Sequence, residues 1–562
     1  MYVIGISAYY HDSSVCLFKH GELVFACEEE KFTGIKHDNS FPLHALRYIF
    51  SRYSIKKKDI EAVCYYEDPK LKLERVKKNF KKNFWKSPIL TSKALWEATF
   101  NVSDIDVRLR RICENVFYSK HHESHIYYSY LTSKFKKAMI LSIDGVGESE
   151  TISVGYANDD DIEIVPLATY PNSIGLFYSA MTAFLGFKPN EGEYKVMGLA
   201  PYGDPKPYED KLNRIISHGC SSVITDMEYF SWDRSQVMFT SKLSKLLGIP
   251  NRLPEEELTQ EHKNLAAAVQ KKYESLFFSL LRDLQIITET TNLCLGGGSA
   301  YNGVANGKVK DHTQFKNLWI PMAPSDAGSA IGACLHYFNK NNQKVRVSPN
   351  PFLGPQYSTN SIIKALRGVN GIVVKQFRLH SILQKKIAKE IMDGKVVGYY
   401  QESIEFGARA LGNRSILANP TLPDMKDRIN KVIKKREGFR PFAPMVSYNS
   451  QSKFFDTNDF IPYMNQVVNV KKEYIDKLPA VTHVDGTARV QSVLTTNRIH
   501  NLLKEFEELS GFPILLNTSF NVKDKTMVLT PKDAIETFMD TEMDILVMNN
   551  FVIYKKDDKE TN

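Results

Sequence analysis

Three short apolar runs open the chain, VIGIS, SSVCLFK and ELVFACEEE, separated by the polar turn Tyr10-His11-Asp12 and by the turn His20-Gly21. Apolar runs of this length bounded by turn residues predict strands, the last two forming a hairpin. Further along, AMILS predicts a buried strand that leads into IDGVGESE, from Ile143 to Glu150. The stretch from Ala266 to Asp283 has helical periodicity and is followed by LCLGGGSAYN, from Leu293 to Asn302. Glycine-rich turns after buried strands serve either as tight connections or as cradles in which backbone N–H groups approach phosphate closely.

NKNNQKVRVSPNP, around Asn339 to Pro351, is polar and then bounded by proline, the composition of a linker. Beyond it GIVVKQF, KVVGYYQE and FPILLNTSF predict strands of a second α/β unit, so domains are expected at 1–348 and 349–562. KLKLERVKKNFKKNFWKS, from Lys70 to Ser87, is basic with interleaved aromatics. It reads as a solvated helix turning Leu73, Val76, Phe80 and Phe84 inward, the alternative being contact with nucleic acid or an anionic membrane surface.

Composition agrees with a folded, multidomain chain: 562 residues, 43% hydrophobic, 24% charged, with a formal charge of +9 that favours anionic ligands without requiring nucleic acid. The seven cysteines form no CxxC pair and read as reduced core thiols. Neither a leader peptide nor a membrane span is expected, and the expected location is cytoplasmic.

Chemistry concentrates first in SKHHESHIYYSY, Ser119 to Tyr130, where His121 and His125 are four residues apart and share one helical face able to hold a metal ion. Ser119 is the expected N-cap of that helix, and His122 points elsewhere, toward substrate or phosphate. Two histidines rarely complete a site. Asp144 and Asp326 are the candidate carboxylates, although Asp326 in PMAPSDAGSAIG would also serve as a helix N-cap and spacing ties neither to the histidines.

The runs GISAYYHDSS, CEEEKFTGIKHDNSFP, HHESH, DGVGE, EGEYKVMGLAPYG, LGGGSAYNGVANGK, APSDAG, FGARALGNRSILANP, FRPFAP, DGTARVQSV and LLNTSFNVK follow one another across nearly the whole chain. In this order they resemble the O-carbamoyltransferases of antibiotic and nodulation-factor biosynthesis. The resemblance implies an α/β protein with an N-terminal actin-like, sugar-kinase-like (ribonuclease H-like) ATPase domain and a C-terminal domain similar to threonylcarbamoyl-adenylate synthase. It implies that the second domain joins carbamoyl phosphate to ATP, giving carbamoyl-adenylate and pyrophosphate. The first domain then delivers the carbamoyl group to a hydroxyl of a small molecule or glycan.

Carried over to this chain, the metal ligands would be His121, His125, Asp144 and Asp326, with iron the expected metal and zinc or manganese also suited to the set. His11, oriented by Asp12, would be the general base near the acceptor. Lys36, Asp144, Gly297, Arg409, Arg440, Arg489, Ser519 and Asn521 would bind adenylate, ATP (with Mg) or carbamoyl phosphate. Arginine suits that task because its planar fork binds phosphate oxygens in pairs; structural ion pairing is the ordinary alternative.

Two departures from the family pattern are visible: Ala408 stands where FGPRALG has proline, and Ser299 where a small apolar residue is common. A fused tRNA threonylcarbamoylation enzyme and a non-catalytic ATP-binding scaffold remain the competing readings.

Overall fold

In the computed structural model, which describes residues 1–219 and 222–556, the apolar runs at the start of the chain become strands β1 (Tyr2–Ser7), β2 (Ser14–Lys19) and β3 (Glu22–Glu28). β1 and β2 pair antiparallel, Gly5 opposite Cys16. On the other side β1 pairs in parallel with β4 (Ile60–Tyr65), which pairs in parallel with β5 (Val116–Tyr118), giving the order β3-β2-β1-β4-β5.

The same order then recurs. β6 (Lys137–Ile143), β7 (Glu150–Asn158) and β8 (Asp161–Thr169) form an antiparallel meander, and β9 (Asn292–Gly296) and β10 (Asn317–Trp319) add in parallel on the far side of β6. The resulting order, β10-β9-β6-β7-β8, is the first sheet's arrangement repeated. This duplication is the actin-like, ribonuclease H-like architecture expected for the first half.

The chain divides into two compact units, Met1–Phe25 with Asn39–Pro349, and Ala26–Asp38 with Asn350–Asn562. In the first, helices α1 (Pro69–Asn83) and α2 (Pro88–Ile112) pack against each other as a hairpin. Leu73, Val76, Phe80 and Phe84 are half-buried, as expected for the inward face of α1. α3 (His121–Leu131) and α4 (Asp326–Lys340) also pack against one another. Their approach is so close that a Cβ on Gly332 would stand 1.9 Å from the Ser124 carbonyl oxygen. A side chain there would push the helices apart.

The second unit is built on an eight-stranded mixed sheet. Its strands are β11 (Ile372–Gln376), β12 (Val397–Tyr400), β13 (Arg414–Ala418), β14 (Ala443–Ser447), β17 (Gln491–Val493), β18 (Ile514–Ser519), β19 (Ile545–Met548) and β20 (Phe551–Lys555), with a ribbon of β15 (Val467–Asn469) and β16 (Thr487–Arg489) beside it. The order is β11-β20-β19-β12-β13-β18-β14-β17.

Period-two alternation divides the sheet's side chains between two cores. Ile545, Val547, Leu417 and Leu515 join the core that includes Leu383, Ile387 and Phe506, whereas Leu546, Met548, Ile416 and Leu516 join the core that includes Phe538 and Phe454. The predicted strands at 395–402 and 512–520 are therefore buried on both faces, which is why they read as continuous apolar runs, whereas 371–377 forms the edge strand β11 and is largely exposed.

Cys16, Cys27, Cys64, Cys113, Cys294 and Cys334 are free and buried, and Cys220 lies outside the described residues. Among the described residues no helix is long and apolar enough to cross a membrane.

Candidate active site: a buried metal quartet and a cationic pocket

At the start of α3, His121 and His125 turn their rings toward the end of β6 and the start of α4. There His125 Nε2 lies 2.9 Å and His121 Nε2 3.2 Å from Asp144 Oδ2, and the two Nε2 atoms stand 3.1 Å apart. Asp326 Oδ1 is 3.7 Å from both histidines. One ligand atom from each residue can be chosen so that all four fall within 4.8 Å of one another, and all four residues are buried.

Two observations fit a cation at this point. Among the described residues both oxygens of Asp326 are buried without a hydrogen-bond partner, and two imidazole nitrogens face the same carboxylates. Two histidines and two carboxylates form a mixed N/O set of the kind that first-row transition metals accept.

Neighbouring groups fix the set. Ser329 Oγ lies 3.1 Å from His125 Nδ1, leaving Nε2 for the cluster. Glu148 accepts from the His121 backbone N–H at 2.9 Å and from Asp68 N–H at 2.7 Å, placing a carboxylate at the N-terminus of α3. Burial raises Glu148 to about 7. Gly297 takes φ of 83°, a left-handed conformation that a Cβ would also block at 2.2 Å from the Ile143 carbonyl oxygen. A Cβ on Gly298 would lie 3.3 Å from Asp144 Oδ1, so the two glycine-rich loops meet at the cluster.

His11 stands at the edge of the quartet, its Nδ1 3.0 Å from Asp12 Oδ2 and its Nε2 3.9 Å from Asp326 Oδ2. Burial works against its charge, but Asp326, Asp12 and Asp144 outweigh burial and hold His11 up at about 10. His121 is likewise held up at about 9, burial being outweighed by Asp326, Asp144 and Glu148. Asp144 is drawn well below the carboxylate range, its burial outweighed by the two histidines, while burial and Asp144 raise Asp326.

Two expectations are corrected. Ser119 does not cap α3: the N-cap residue is Lys120, and Ser119 Oγ instead lies 2.9 Å from His336 Nδ1. Asp326 is the first helical residue of α4 rather than its N-cap, which is Ser325, so its carboxylate is left for the cluster. His122 is not one of the quartet; it is buried beside Gly147 with its ring 5.6 Å from that of His121 and 6.2 Å from that of His125, where burial and these two histidines push it well below its ordinary value.

The remaining candidates lie in the second unit. Arg489 ends β16, and the guanidiniums of Arg409, Arg436 and Arg440 are near enough to add to burial in lowering its pKa. Its Nε has no hydrogen-bond partner among the described residues. Lys434 is buried and donates to Ser519 O at 2.7 Å, Ser519 Oγ at 3.2 Å and Asn521 O at 2.9 Å. Burial, then Arg436, Arg440 and Lys36, depress it well below the ordinary lysine value. Lys36, Arg409, Arg440, Arg489, Ser519 and Asn521 are thus gathered with two cations that sequence reasoning missed, Lys434 and Arg436.

Asn430, fully buried, organises part of this pocket by accepting from Arg436 Nε at 2.8 Å and donating to the Arg440 carbonyl oxygen at 3.0 Å. The loop bearing Arg409 is pinned at both ends. Gly407 N–H donates to Glu28 Oε1 at 2.8 Å, and Glu405 Oε1 accepts from the N–H groups of Leu411, Asn413 and Arg414. These anchors hold the loop that carries Ala408 without a proline there.

Residues 2–335 match the family model described as "Carbamoyltransferase N-terminus", and residues 388–555 match the one described as "Carbamoyltransferase C-terminus". The chain belongs to the carbamoyltransferase family. It is accordingly an enzyme, a carbamoyltransferase. An uncharacterized protein of Synechocystis is 37% identical, with 99% of this chain and 97% of that protein covered. The nodulation protein NolNO of Sinorhizobium fredii is 33% identical over 98% of this chain and 80% of its own length. Likeness to solved structures is faint. Component A of the (R)-2-hydroxyglutaryl-CoA dehydratase of Acidaminococcus fermentans, at 13% identity and a TM-score of 0.33, covers 61% of this chain and 100% of its own.

Proposed function

We propose that this carbamoyltransferase uses ATP and carbamoyl phosphate to make carbamoyl-adenylate in the second unit, then transfers the carbamoyl group to an acceptor hydroxyl at the His121, His125, Asp144, Asp326 cluster. The observation that carries this reading is the pocket of Lys36, Arg409, Lys434, Arg436, Arg440 and Arg489, in which cations crowd one another. Among the described residues neither Lys434 nor Arg489 forms an ion pair with a carboxylate. Such crowding is costly unless polyanions complete it. Carbamoyl phosphate and the triphosphate of ATP supply that charge, and arginine forks bind phosphate oxygens in pairs.

For the atoms to balance, water takes the phosphoryl group of carbamoyl phosphate, leaving carbamate and phosphate. A carbamate oxygen then attacks the α-phosphorus of ATP and pyrophosphate departs. The arginines hold the reacting groups in line and offset charge on the departing oxygens.

Transfer needs a base for the acceptor hydroxyl, protection from water and stabilisation of the carbonyl oxygen. His121, His125, Asp144 and Asp326 would hold a divalent metal ion, which supplies Lewis-acid polarisation when bound. With a cation held there, Asp144 and Asp326, two of the three carboxylates that hold His11 near 10, would be neutralised, which favours the neutral ring whose Nε2 can take up a proton, Asp12 remaining beside Nδ1. The acceptor oxygen then bonds to the carbamoyl carbon, the bond from that carbon to the AMP oxygen breaks, and the hydroxyl proton passes to His11, whose Nδ1 Asp12 holds. Burial of the quartet excludes water from the activated carbamoyl group.

The test is mass spectrometry of acceptor hydroxyl compounds incubated with enzyme, ATP and carbamoyl phosphate. Gain of one carbamoyl group with release of AMP supports the reading. Carbamoylation that proceeds without ATP overturns it.

A further inference from the structure

The α1/α2 hairpin carries an apolar surface that the reaction does not use. Along α2, Thr91, Ile105 and Leu109 are buried and lie on one face at about 100° per residue. On the opposite face Ile89, Trp96, Phe100 and Val107 fall within a narrow stripe roughly 27 Å long, and all are exposed. Trp96 and Phe100 stack at 5.9 Å. In the turn that joins the helices Trp85 is 91% exposed, and Ile89, one turn on, is 85% exposed. A helix facing only water on one side has no reason to be apolar there.

Charge selects the occupant. Residues 69–112 hold twelve lysines and arginines against four carboxylates, a net of +8, whereas the whole chain has +9. Lys81, Lys82 and Lys86 flank Trp85 and form no ion pair among the described residues. A second copy of the same face would bring like charge against like charge. Nucleic acid would leave the aliphatic Ile89 and Val107 unmatched. An indole and aliphatic stripe rimmed by lysine matches the boundary between headgroups and acyl chains of a bilayer rich in anionic lipid.

We propose that the tip of the α1/α2 hairpin docks this enzyme onto an anionic membrane surface, with Trp85, Ile89, Trp96 and Phe100 entering the interface and Lys81, Lys82 and Lys86 meeting lipid phosphates. The helix lies on the membrane and does not cross it.

The test is sedimentation of the full-length protein with vesicles of mixed phosphatidylglycerol and phosphatidylcholine, or of phosphatidylcholine alone, with tryptophan emission recorded in parallel. Two of the four tryptophans, Trp85 and Trp96, lie on the docking face. Binding to the mixed vesicles only, with blue-shifted emission and weakening by added salt, is expected. Trp96→Ser with Phe100→Ser, and separately Lys81→Gln, Lys82→Gln and Lys86→Gln, should each weaken binding by about tenfold or more, with thermal unfolding and pyrophosphate release unchanged. The proposal is overturned by failure to bind the mixed vesicles, by equal binding to both, or by binding that survives both variants. It is overturned equally by a concentration-dependent dimer or by nucleic-acid binding that the same substitutions abolish without any vesicle binding.

Discussion

Replacing Arg489 with methionine separates a ligand-binding arginine from a structural one. Among the described residues Arg489 makes no hydrogen bond through Nε, and Arg409, Arg436 and Arg440 are near enough to repel it. At an effective dielectric of about 20 and separations of several ångströms, each neighbour repels it by on the order of 2–3 kcal/mol before solvent screening. Screening of a half-buried group leaves a net gain of about 1 kcal/mol for the variant. In a unit the size of the second one, that gain raises the midpoint of thermal unfolding by roughly 2–4 °C.

Ligand binding moves the other way. Loss of a charge-assisted hydrogen bond to phosphate costs about 1.5–3 kcal/mol, so carbamoyl phosphate or ATP should bind about 10- to 150-fold more weakly. Thermal unfolding without ligand, paired with calorimetric titration of each phosphate ligand, reads both quantities. An Arg489→Met protein that melts lower and binds as tightly as wild type would mean that this arginine braces the fold, and the assignment of the pocket to phosphates would lose its basis.

Glu28 tests the support beneath Arg409. Burial raises it to about 7 from 4.5, so between those values the unfolded chain has released a proton that the native protein keeps, and stability falls as pH rises. Glu28→Gln should therefore gain on wild type by up to about 3 kcal/mol between about pH 4.5 and about pH 8 in denaturant unfolding of the second unit; a pH-independent difference contradicts this. Ser329→Ala frees the His125 ring and should weaken metal binding by roughly 10- to 100-fold in equilibrium dialysis, leaving pyrophosphate release unaffected. Gly332→Ala forces α3 from α4 and should lower stability by about 1–3 kcal/mol together with metal content, measured by thermal unfolding and elemental analysis.

The strands and the helix pair behind these sites were legible because buried strands in this chain are continuous apolar runs and because His121 and His125 are spaced for one helical face. Asp144 and Asp326 stood out as candidate carboxylates, but only the family resemblance tied them to the histidines, since they lie 19 and 201 positions beyond His125 and local spacing carries no information about tertiary neighbours. Lys434 and Arg436 escaped notice for a different reason. They sit in IKKREG, which reads as solvated surface charge, and only burial distinguishes Lys434 from its exposed neighbour Lys435. Ser119 misled because a serine before a helix has the chemistry of a cap whether or not its hydroxyl is spent on another partner, here His336.

The central claim is a division of labour, and pyrophosphate release from ATP tests it most directly. Wild-type protein should release pyrophosphate only when carbamoyl phosphate is present. Arg440→Ala should abolish that release, and His121→Ala should retain it while losing acceptor carbamoylation. Pyrophosphate release that is indifferent to carbamoyl phosphate, or that a folded His121→Ala protein loses to the same degree as Arg440→Ala, would contradict the account.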